Sequence, residues 1–91
     1  MAEFLVELYV PRSEGEAVEE GASRARRAAE VLTLEGTPVQ FLRSIFVPED
    51  ETCFFLYKAA SSDAVRTAAQ RAALRYERVV ETVAQPREEP S

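Results

Sequence analysis

Six side chains in this 91-residue chain stand in segments regular enough for a fold to bring them together: Glu7, Cys53 and Glu81, with Tyr9, Ser44 and Tyr57. Glu7 is the most demanding. It interrupts the alternating run Phe4-Leu5-Val6-Glu7-Leu8-Tyr9-Val10, and a carboxylate in mid-strand must be hydrated, paired or bound to a cation. Glu7, Cys53 and Glu81 together offer carboxylate oxygens and one soft sulfur, a donor set that could hold a divalent transition metal. Their spacing matches no recognised motif, and the plainer account of Glu7 is a hydrated charge on an open sheet face. Tyr9, Ser44 and Tyr57 would supply hydroxyls to orient a small ligand; aromatic strand residues serve equally well in cross-strand packing.

Composition narrows the chemistry. The chain has no histidine and no tryptophan, so Ser-His-Asp and Cys-His sites are excluded, together with the commonest acid/base group at neutral pH. Without a base beside it, Cys53 reads as a buried free thiol rather than a nucleophile. As the sole cysteine it can form no intrachain disulfide, which fits a reducing cytoplasm. A formal net charge of −5 opposes the phosphate attraction on which nucleic-acid binding depends. No apolar run approaches membrane-spanning length, and the chain goes from Met1 straight into strand-like sequence without a leader pattern. Arg24, Arg26 and Arg27 have Glu20 and Glu30 four residues from Arg24 and Arg26, the pattern of an ion-paired solvated helix face. The acidic stretch Glu49-Asp50-Glu51 reads as a soluble hairpin tip.

The elements that must position these residues follow from periodicity. A strand over 3–10 ends at Pro11, and Ser13 with Glu16 forms an S-x-x-E capping box that predicts a helix start. Val18, Ala22, Ala25, Ala29 and Leu32 recur at spacings of four and three, giving an apolar stripe, with Gly36 as its C-terminal stop. The segments 39–47 and 52–58, joined by Pro48-Glu49-Asp50-Glu51, read as a β-hairpin. A second helix begins at Ser61-Ser62-Asp63 and ends near Leu74, and 78–84 is a last strand. The expectation is one domain over 1–84, with a disordered tail at 85–91.

Strand, helix, strand, strand, helix, strand is the ferredoxin-like α+β arrangement, an antiparallel four-stranded sheet with two helices on one face. With Phe4, Val6 and Leu8 under the helices, hairpin parity assigns Leu5, Glu7, Tyr9, Leu42, Ser44, Phe46, Cys53, Phe55, Tyr57 and Glu81 to the uncovered face. An apolar bed with a few polar groups marks an interface or a ligand site. A domain this short buries only about 60–65% of its unfolded surface, so a second copy would stabilise it. A homodimer through the open face is therefore expected, with a small molecule or divalent metal as its ligand and no nucleic-acid or membrane partner. The competing readings are a cofactor-independent enzyme of dimeric α/β-barrel type, with Glu7 or Tyr57 as acid/base, and a purely structural or regulatory partner.

Four stretches carry a family resemblance: Phe4-Leu5-Val6-Glu7, Ser44-Ile45-Phe46-Val47-Pro48-Glu49-Asp50-Glu51-Thr52-Cys53, the segment 59–65, and Arg78-Val79-Val80-Glu81. The chain resembles a family of small bacterial ferredoxin-like proteins of unknown function that includes a nickel-binding member. The resemblance spans nearly the whole folded region. It implies a cytoplasmic ferredoxin-like dimer without established enzymatic activity, with nickel as the metal to consider.

Overall fold

The structure is a computed structural model that describes residues 1–83; the expected tail at 85–91, and Ala84, lie outside the described residues. In chain order the elements are β1 (Ala2–Tyr9), a 3-10 turn (Arg12–Glu14), α1 (Glu16–Leu34), β2 (Val39–Val47), a second 3-10 turn (Pro48–Asp50), β3 (Thr52–Ala59), α2 (Ser62–Arg71) and β4 (Tyr76–Thr82). The sheet order is β2-β3-β1-β4, every neighbouring pair antiparallel. This is the ferredoxin-like fold anticipated from the element order.

Local chemistry sets most boundaries. Ser61 caps α2 as expected, its hydroxyl accepting from the Ala64 N–H at 3.2 Å. The capping box expected at Ser13 does not form: residues 12–14 tighten into the 3-10 turn, and α1 starts from Gly15 without a side-chain cap. Gly15 lies against the Phe46 ring, where a Cβ would come within 3.3 Å of it. At the other end of α1, Gly36 adopts φ 103°, the left-handed stop that glycine provides without steric cost. Helix α2 finishes at Arg71, short of Leu74, because Ala73 turns left-handed at φ 58° and Leu74 N–H closes back on Ala69 O.

Between α1 and the edge strand β2, the Thr33 hydroxyl both donates to Val39 O (2.8 Å) and accepts from Val39 N–H (3.1 Å), clasping the start of that strand. The core lies between sheet and helices. Alanines 22, 25 and 29 of α1 and 64, 68 and 69 of α2 let the helices approach closely. The large side chains come from the sheet: Phe4, Val6 and Leu8, Phe41, Phe55 and Tyr57. The Phe41 ring meets Phe55 and Tyr57 edge-on at 5.3 and 5.5 Å, the arrangement that ring quadrupoles favour.

Candidate functional site

Register decides which candidate residues can meet. Strand β1 pairs with β3 as Phe4 opposite Tyr57, Val6 opposite Phe55 and Leu8 opposite Cys53, and directly opposed residues share a face. Cys53, Phe55 and Tyr57 therefore lie under the helices, fully or almost fully buried, and not on the open face to which parity alone assigned them. Both phases of β3 are apolar enough to be buried. The deciding residues are Thr52 and Lys58, which share a phase with Phe54 and Leu56 and would have to be buried in the opposite arrangement. In β2, Ser44 opposes Phe55 and Phe46 opposes Cys53, so these two follow their partners to the covered side. The register shifts between Phe41 and Arg43, leaving Leu42 as an extra residue. Because of that bulge Phe41 stays under the helices, the side that hairpin parity gives it, although Ser44 and Phe46 do not keep theirs.

The apolar part of the open face is Leu5, Ile45, Phe54, Leu56 and Val80, with Val47 near its corner, and Glu3, Arg43, Lys58 and Thr82 share that face around it. None of these is fully buried in the single chain, and Ile45 and Val80 are 40% and 39% exposed. One polar contact crosses its centre. Glu7 opposes Arg78 of β4, and the Arg78 Nε donates to Glu7 Oε1 at 2.8 Å. Both groups keep contact with water, their side chains being 27% and 68% exposed, so the pair contributes less than about 1 kcal/mol to the fold. The demand that a mid-strand carboxylate be satisfied is met by an arginine. Arg78 was legible as the partner only once β4 had a register, which its bulge at Glu7/Leu8 obscures.

The six candidate residues thus divide. Glu7 and Tyr9 fall on the open side, Tyr9 being 60% exposed at the strand's end. Ser44, Cys53 and Tyr57 point to the helix side, and Glu81, opposite Phe4, does so from an exposed position on β4. Burial pushes the Cys53 thiol up to about 11, so it stays protonated at neutral pH. Burial also pushes the Tyr57 phenol well above its ordinary value, and its hydroxyl has no hydrogen-bond partner among the described residues. A phenol enclosed in this way reaches no substrate, which removes Tyr57 as an acid/base group.

The metal set fails on the same geometry: Glu7 and Cys53 are on opposite sides of the sheet. Among the described residues no three Cys, Asp or Glu side chains stand close enough to hold one ion. The arginines of α1 are placed by different partners. Arg24 pairs with Glu20 at 3.4 Å as the spacing predicts, whereas Arg26 lies over the Phe41 ring, 5.2 Å from its centroid. No helix of the described residues is long and apolar enough to cross a membrane.

Comparison with known proteins agrees with this architecture. Residues 4–82 match the family described as "Nickel responsive protein SCO4226-like". The crystal structure of SCO4226 from Streptomyces coelicolor A3(2) superposes with a TM-score of 0.69 at 17% sequence identity, covering 93% of this chain and 100% of that one. At that identity the likeness speaks for the fold. No curated protein matches the chain.

Proposed function

This chain belongs to the SCO4226-like family of nickel responsive proteins, and from that premise we propose that it is a small binding module that pairs with a second copy of itself through the open face of its sheet. The observation that carries the reading is the apolar bed of Leu5, Ile45, Phe54, Leu56 and Val80 around the single Glu7–Arg78 pair. Four strands about 4.8 Å apart and about eight residues long at ~3.3 Å each give a face of roughly 19 by 26 Å, or ~500 Å² per copy. Two such faces bury about 1,000 Å², close to the lower limit for a specific interface. Glu7 and Arg78 also suit a two-fold arrangement, since a neighbouring pair of opposite charges on the face can meet the same pair of a second copy with opposite charges apposed.

The link to nickel comes from the family's description. The described residues of one chain do not fit a nickel site, as the sequence has no histidine and the one thiol faces the helices. A lone, buried thiol supports a cytoplasmic setting.

Sedimentation at micromolar concentration should give a species of twice the 10.2 kDa chain mass. Phe54→Glu should convert it to monomer, because a charge in the middle of a packed face costs several kcal/mol, whereas Phe54→Leu should remain dimeric. A wild-type chain that sediments as a monomer at these concentrations would refute the pairing. Calorimetric titration with nickel tests the family's metal link separately.

A further inference from the structure

A cavity lies on the helix side of the sheet, where the end of β1 and the start of β3 meet α1 and the loop between α2 and β4. It is a half-open cleft of about 260 Å³, and its apolar lining includes Leu8, Val18, Phe55 and Leu74. Arg24 and Arg75 also line it, and no carboxylate among the described residues does, in a protein whose formal net charge is −5. We propose that this cavity binds a small monocarboxylate with an apolar body, its charged end on Arg24 and Arg75 and its body against Leu8, Phe55 and Leu74.

Three observations bear on it. Arg24 is held in place from outside the cavity: its Nε donates to Ala72 O at 2.9 Å, and Nη1 reaches Glu20 Oε1 only at 3.4 Å. A guanidinium held through Nε and Nη1 still offers its Nη2 donors in a set direction and loses little freedom on binding a carboxylate. Arg75 is exposed and has no ion-pair partner among the described residues. The cavity is also bounded by two residues that break local rules. Gly21 sits inside α1, where glycine costs up to about 1 kcal/mol relative to alanine. A Cβ there would meet Phe55 at 3.4 Å and Leu74 at 3.7 Å, which is ordinary contact. Packing therefore does not require the glycine; its missing side chain enlarges the cavity. Ala73 is held left-handed at φ 58° on the same wall, where glycine would be unstrained. Local costs gathered around one cavity are a mark of a site.

Size and lining define the ligand class. At about 30 Å³ per water-sized group the cavity takes on the order of eight heavy atoms, the size of hexanoate. The neutral Cys53 thiol, which also lines it, offers no charge against an anion.

The test is an amide-resolved NMR titration with hexanoate, with hexan-1-ol and inorganic phosphate as separate arms at equal ionic strength. Hexanoate should give saturable shifts at Leu8, Gly21, Cys53 and Ala73, and bind at least about tenfold more tightly than either control, the scale of one charge-assisted contact. Arg75→Gln and Arg75→Ala, at an exposed position, should weaken hexanoate about tenfold with an unchanged melting temperature. The site lies across the sheet from the pairing face, so loss of the dimer in Phe54→Glu should leave these shifts in place. Absence of saturable shifts at tens of millimolar hexanoate would overturn the proposal, as would equal binding of hexanol or phosphate, or indifference to both Arg75 variants.

Discussion

Replacing Tyr57 by phenylalanine should make this protein more stable. The side chain is wholly buried, and its hydroxyl is without a hydrogen-bond partner among the described residues. A buried polar group left unsatisfied costs about 1–3 kcal/mol in lost hydration, and Tyr57→Phe removes the oxygen while keeping the ring and its edge-on contact with Phe41 at 5.5 Å. The space vacated is one atom deep, so the cavity penalty is small beside the desolvation recovered. We expect a gain of about 1–2 kcal/mol, which for a domain of this size raises the melting temperature by roughly 4–8 °C per kcal/mol. Urea denaturation followed by circular dichroism, with unchanged slope, measures it directly. The variant should also behave differently in alkali. Burial raises the folded-state value of the phenol, so its contribution is complete below the unfolded value near 10 and drains away as pH rises above it. Tyr57→Phe should lose less stability above pH ~10 than the wild type. A variant destabilised by more than about 0.5 kcal/mol at pH 7 would mean that the hydroxyl has a partner, and the reasoning would fail.

Two further outcomes follow from the same core. Burial takes Cys53 from its ordinary 9.0 to about 11; a raised folded-state value means that its stabilisation is intact below pH 9 and lost progressively toward 11, on the order of 2–3 kcal/mol, and Cys53→Ala, less stable at neutral pH, should show a flatter denaturation midpoint over that window. Ala73→Gly, which relieves a left-handed alanine at φ 58°, should stabilise the fold by about 1 kcal/mol in the same assay, and a loss of stability there would show that the Cβ packs favourably.

The order of elements was legible because each carried its own signal: the one-sided alternation of Phe4, Val6 and Leu8, the alanine stripe of α1, the capping Ser61 and the stop at Gly36. Face assignment was less legible because it depends on how two strands meet. In β3 either phase could form the core by hydrophobicity, and only the polar Thr52 and Lys58 at its ends argue for one over the other. Strand β2 follows strict alternation only until Leu42, where the inserted residue reverses the phase of everything before it. No propensity at Leu42 announces a bulge, because the insertion is demanded by its partner strand. The candidate site dissolved for this reason: of its six residues, the four assigned by hairpin parity or by the last strand's phase moved to the helix side. Glu7, placed by its own strand alone, remained where it was expected and found its counter-ion in Arg78.

The clasp of Thr33 on Val39 bears on a hazard that has nothing to do with ligands. Strand β2 is long, β-prone and outermost in the sheet, the kind of edge on which further strands can be templated into fibres. An incoming strand would find the backbone groups of Val39 already taken by one hydroxyl, the ladder out of step at Leu42, and a cation at Arg43. Stacking two faces consumes the surface it uses, whereas each strand added to an edge presents a fresh edge to the next. The chain leaves its face open and puts its stops on the edge, where growth would otherwise have no end.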